Sequence, residues 1–443
     1  MRSGGKLVGF FLAAALAAAS MWFYVDRILV SYQVADAAAH QRPRGNLSDL
    51  YPRWLGAREL LLHGRNPYSD DITIEIEKGY YGRALDPARV EDPKDRQGFA
   101  YPAYVVFVLA PLIGLSFHEV QIFFHWLLLV VTAASVWLWL KALRWRLPPL
   151  ATVGGMVLIL GSFAAVQGVK LQQLSLLVAA LLAGAAACVA SGFLFSGGAL
   201  LALATIKPQL TWLLVGWLLL WAVGDWRERR RFVFGFGLVL GGLFAGAEMV
   251  LPGWWRMFVT AVGQYHGYTQ SESVLEVMID GILGTTGRVG RVSGEVLAVV
   301  ALLACLPALW RWRHEREDSR QFGWALAMVL VLTVVVAPMY APYNQVLLLP
   351  AIMVLVRDLS NSRTRSRALG FGYLIAGFFV SWQWIASSIL TVVYLTGFRG
   401  WALRSWRWPF FATFALPICV LVLILSVSRQ RDLALPKSAS RLE

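Results

Sequence analysis

The chain has 443 residues, 58% hydrophobic and only 15% charged, with a formal net charge of +14. A soluble domain is about 45–50% apolar and about 25% charged. The surplus here comes in uncharged runs of about 20 residues, enough to cross a bilayer as helices, so the composition excludes a soluble globular protein and points to a polytopic α-helical membrane protein.

In chain order, the first element is MRSGGKLVGFFLAAALAAAS. Its basic start, apolar centre and small residues suit a signal peptide, but the apolar run continues to about Val30, which favours an uncleaved first helix. The expected spans are 7–30, 119–140, 148–167, 171–190, 193–206, 208–223, 232–251, 294–311, 322–338, 343–357, 368–395 and 408–427. Segment 99–117 is also apolar. Counting it as a span would place KALRWR (141–146) and the later basic loops outside, and Pro102 and Pro111 suit a broken surface helix better. With it outside, KALRWR (141–146), DWRERRRF (225–232), RWRHERE (311–317), RDLSNSRTRSR (357–367) and RQRD (429–432) all become cytoplasmic. The +14 charge is therefore read as topology and anionic-lipid contact, not as nucleic-acid binding. The tryptophans of FRGWALRSWRWPF (398–410) suit an interfacial belt. The expected unit is one transmembrane domain, 1–443, with two long extracytoplasmic segments, 31–118 and 252–293.

This threading collects polar junction residues on the outer side: Asp49, Lys170, Gln172, Gln173, Lys207, Gln209, His266, Asn344 and Gln345. Such a cluster suggests a water-filled cavity opening outward. Asp49, in NLSDLYPRW, is read either as a catalytic base or as a helix cap. Lys207, in LALATIKPQLTW, is a lone cation between apolar runs. It either meets an anion such as a lipid phosphate or snorkels to the interface. Lys170, Gln172 and Gln173, in VQGVKLQQLSLL, can donate to phosphate or sugar oxygens, or simply form a polar loop. Tyr265 and His266 are read the same way, as binding groups or an ordinary loop. The acidic run SDDITIEIE (69–77) has no accompanying histidine and is read as a solvated face, so no metal is expected. Cys188, Cys305 and Cys419 lie in apolar runs with neither zinc nor disulfide spacing. No nucleotide-binding loop is found, and no cofactor is expected.

The ordered set SDLYPRW, LLHGRNPY, FAYPAYVVFVLAPL, LQQLSLL, LALATIKPQL and APMYAPYNQVLLLP resembles glycosyltransferase family 87, over roughly 45–355. That resemblance implies a GT-C-type bundle of about 12 transmembrane helices with extracytoplasmic juxtamembrane helices. It also implies a bacterial inner-membrane enzyme using a polyprenyl-phosphate sugar such as the mannose donor, with a lipid or glycan acceptor. Asp49 takes the family's base role, and Lys207 faces the lipid phosphate. Tyr101, Lys170, Gln172, Gln173, His266, Asn344 and Gln345 complete the expected substrate-binding set. The chain departs from the family at Tyr101-Pro102-Ala103, where a second proline is common, and at Tyr343-Asn344-Gln345, where a histidine is common. The rival readings are a transporter or flippase, for which related halves with interrupted helices are missing, and an inactive family member.

Overall fold

The computed structural model describes residues 2–269, 272–284, 287–338, 340–361 and 366–434. They form helices joined by turns and loops, the longest between Tyr81 and Val105, with no β-strand among the described residues. Serine starts six of the helices. Ser69, Ser116, Ser162, Ser273, Ser319 and Ser366 each accept a hydrogen bond from the backbone N–H three residues on, satisfying one of the unpaired amides of a first turn. At Ser116 the Glu119 side chain answers back to complete a capping box.

Among the described residues, six helices are long and apolar enough to cross a membrane: Gly4–Ala39, Phe117–Ala142, Trp226–Val250, Arg288–Trp312, Arg367–Leu395 and Arg399–Gln430. A seventh span forms if Pro149–Leu160 and Phe163–Lys170, bent by 58°, are taken together. Leu174–Ala190, Leu194–Ala204, Pro208–Gly224 and Arg320–Val336 are apolar but shorter. Of these, Leu174–Ala190 and Arg320–Val336 lie deepest. Every residue from Phe322 to Val335 is buried, the signature of a helix that is apolar all round because it has no solvent or lipid face. Segment 99–117 yields only the helix Val105–Leu109 and one 3-10 turn before Ser116 starts the next helix, far too short to cross.

Segment 31–118 packs two helices, Tyr51–His63 and Asp70–Tyr81, against the bundle. The acidic run lies on the second of these; Asp70 and Asp71 are exposed, as the solvated face read in the sequence requires, and Glu77 is the exception. Glu77 is buried, with Arg96 Nε 2.6 Å from its carboxylate, and Glu75 takes Arg65 at 2.7 Å. Arg96 thus holds Glu77 inside, while Glu75 stays partly exposed. No group of three potential metal ligands occurs among the described residues.

The basic loops meet at one end of the molecule. Arg229 donates to the carbonyls of Trp221, Arg313 and Glu315, Arg144 pairs with Asp318, and Arg357 donates to the Leu143 carbonyl. Helix Pro208–Gly224 starts beside Lys207 and ends beside that basic cluster. Its 17 residues span about 25 Å at the usual rise, which puts Lys207 at the opposite end.

Candidate functional site

Asp49 stands just before helix Tyr51–His63, yet it does not cap it. The N-cap is Leu50, with no side-chain cap bond, and Ser48 Oγ takes the Leu50 N–H at 3.3 Å. The carboxylate is therefore free to turn inward. The loop that aims it is fixed on both sides. Asn46 donates to the Gly79 carbonyl at 2.7 Å, and the Asp49 N–H donates to the Leu171 carbonyl at 3.0 Å. Leu47 and Gln172, on the two segments that meet here, both hold left-handed backbone (φ 49°). Such conformations are uncommon for non-glycine residues and cluster at functional sites.

Tyr80 Oη donates to Asp49 Oδ1 at 3.2 Å, and Gln173 Nε2 donates to Oδ2. The other end of the same amide, Gln173 Oε1, accepts from Lys207 Nζ at 2.8 Å. One glutamine thus bridges the carboxylate and the ammonium. Lys207 is buried in the turn that Pro208 ends, and it also donates to Ser175 Oγ, which donates to Asn344 Oδ1 at 2.8 Å. Burial raises the Asp49 carboxyl above the usual carboxylate range, while the charge of Arg53, the Gln173 amide, the charge of Lys207 and the Tyr80 hydroxyl pull it back.

Asp49, Gln173, Lys207 and Asn344 line a cavity of about 270 Å³, near the lower end of small-molecule sites. Arg53, Asp95, Tyr101, Tyr265, His266, Tyr343 and Gln209 share its wall. Tyr101 lies under the Arg53 guanidinium, 4.3 Å from ring centre to Cζ, and the Tyr343 ring is 5.2 Å from Lys207 Nζ. Asp95 is pushed up to about 6 by burial, countered by its bond from Gln97 and by Arg53. His266 is an exposed wall residue, its Nδ1 2.8 Å from the Val262 carbonyl.

Of the residues expected from the sequence, the structure brings together Asp49, Tyr101, Gln173, Lys207, His266 and Asn344. Three others lie elsewhere. Lys170 turns to Asp26, Nζ to Oδ1 2.6 Å, over the Trp22 ring. The Gln172 amide is spent on the Val169 and Lys170 carbonyls. Gln345 donates to the Thr413 carbonyl and lines a different, mostly apolar pocket. Arg53 and Asp95 were not anticipated. Arg53 had a signal, since it follows Asp49 by one helical turn; Asp95, in a turn-rich loop, had none.

The family model for glycosyltransferase family 87 matches residues 99–338, more than half of the chain. No curated protein and no solved structure matches it. The matched stretch carries Tyr101, Gln173, Lys207 and His266, four of the residues that meet in the cavity. This membrane protein therefore belongs to glycosyltransferase family 87 and is a glycosyltransferase.

Proposed function

We propose that the chain moves a sugar, a hexose such as mannose, from a polyprenyl-phosphate donor to a lipid or glycan acceptor on the extracytoplasmic side of the bacterial inner membrane. The GT-C-type arrangement of about 12 helices belongs to the same proposal. Asp49 takes the proton of the acceptor hydroxyl. The acceptor oxygen attacks the anomeric carbon, the bond from that carbon to the phosphate oxygen breaks, and the polyprenyl phosphate leaves with the electron pair. Attack from the face opposite the phosphate inverts the anomeric centre. Lys207 lies beside the developing phosphate charge, where preorganised cations contribute most. No metal or cofactor enters the scheme.

The observation that carries this reading is the shared amide, with Asp49 and Lys207 held in one cavity by the two ends of Gln173. A base and a cation so placed can flank one scissile bond. The test is Asp49→Asn in purified protein with donor and matched acceptor. A positioned general base is worth about 10²–10⁴-fold, and a loss of that size is expected. Turnover near wild type would remove Asp49 from the chemistry.

A further inference from the structure

Arg53 is 7% exposed and lies in the cavity wall. Its Nη1 donates to the backbone carbonyl of Asp49 at 2.8 Å, and its plane rests on the Tyr101 ring. Nε is buried and has no hydrogen-bond partner among the described residues. The Asp49 carboxylate, the closest candidate counterion along the chain, is turned to Tyr80 and Gln173 instead. The result is a buried guanidinium with an unused donor, its charge offset by Asp49 and Asp95, neither of which forms an ion pair with it among the described residues. A buried donor left without a partner is costly, and an anion in the cavity would satisfy it.

Lys207 is in a different condition. It already donates to Gln173 and Ser175, which leaves at most one of its three N–H bonds for a ligand. Its main service to a bound anion is charge at close range. Arg53 retains donors in the fixed fork that matches a phosphate.

From this geometry we infer that Arg53 is the direct ligand of the donor's phosphate, and that its stacking on Tyr101 fixes the fork for it. The inference rests on the proposed function and deepens it. The ligand chemistry is a phosphate mono- or diester, and the lipid-linked form is the one assigned here.

The experiment measures binding of undecaprenyl phosphate to the purified full chain in lipid nanodiscs, with inorganic phosphate as the second probe. The proteins are wild type, Arg53→Gln and Arg53→Lys, each checked for wild-type thermal unfolding. Removing one charge-assisted bond of this kind corresponds to a loss of about tenfold or more. Arg53→Gln is expected to lose at least that, and Arg53→Lys to fall between it and wild type, because lysine keeps the charge and loses the fork. Should Arg53→Gln fail to fold, Arg53→Lys carries the comparison. Wild-type affinity in the folded variants would overturn the role of Arg53 and leave the proposed function standing. Failure of wild type to bind undecaprenyl phosphate would overturn both. Inorganic phosphate binding as tightly as the lipid, and lost in Arg53→Gln, would uphold the anion site and overturn the lipid-linked assignment.

Discussion

At the scale of single residues, the site works by opposing burial with nearby positive charge. As the proposed base, Asp49 must be ionised to accept a proton, so activity should rise with pH through its shifted pKa. Burial moves that pKa up, and Lys207 is one of the groups that move it down. Replacing Lys207 by methionine removes a lowering influence, so the carboxyl should hold its proton to a higher pH. The expected outcome is an acid limb of kcat/KM displaced to higher pH, beside the loss in rate. A limb that stays where wild type has it would mean that another group controls it. The residue scale also shows where the sequence ran out. Lys170 and Lys207 look alike in the chain, each a lone cation at a helix junction. What separates them is which helix lies alongside. Asp26 meets Lys170, while Gln173 and Ser175 meet Lys207. Hydropathy and charge patterns do not encode that adjacency.

At the scale of elements, apolar content identified helices well and their surroundings poorly. Hydropathy reads Arg320–Val336 and Leu174–Ala190 as ordinary spans, because a central helix and a lipid-facing one have the same composition. The structure sets these two inside, and the long ones are only 17–50% buried over their most apolar stretch. Small residues mark the closest contact. Helices Leu194–Ala204 and Trp226–Val250 approach so tightly that a Cβ at Gly198 would lie 2.1 Å from the Phe232 carbonyl oxygen. A Cβ at Gly235 would lie 2.1 Å from that of Phe195. Backbone-to-backbone contact of this kind is how helices associate in lipid, where burial from water gives no drive. Nothing flexible is there to yield. Gly198→Val should therefore part the two helices, at a cost of about 1–3 kcal/mol for overpacking. Thermal unfolding in detergent would report it. An unchanged melting temperature would show that the pair is looser than its geometry.

At the scale of the whole molecule, the +14 charge has a direction. Loops 141–146, 225–232 and 311–317 are far apart in sequence, yet Arg144, Arg229 and Arg357 tie them and the end of 349–361 together at one end. That grouping was legible, because the positive-inside rule had already put these loops on one side. Lys207 and Gln173 begin helices that run toward that cluster, so the cavity lies about one membrane thickness away from it. The two ends have opposite requirements. On the proposed function, the basic one lies where anionic lipids and the insertion machinery retain it, and the other faces the compartment holding donor headgroup and acceptor. Single cysteines test this directly, since the native Cys188, Cys305 and Cys419 lie in apolar helices and can be replaced to clear the background. Ala88→Cys lies exposed in the loop that carries Asp95, and Arg227→Cys is exposed among the basic loops. A membrane-impermeant maleimide should label position 88 in intact cells and position 227 only after permeabilisation. The reverse pattern would open the cavity to the cytoplasm. A lipid-linked donor would then have no extracytoplasmic headgroup to present there, and a base at Asp49 would have to act on a cytoplasmic acceptor.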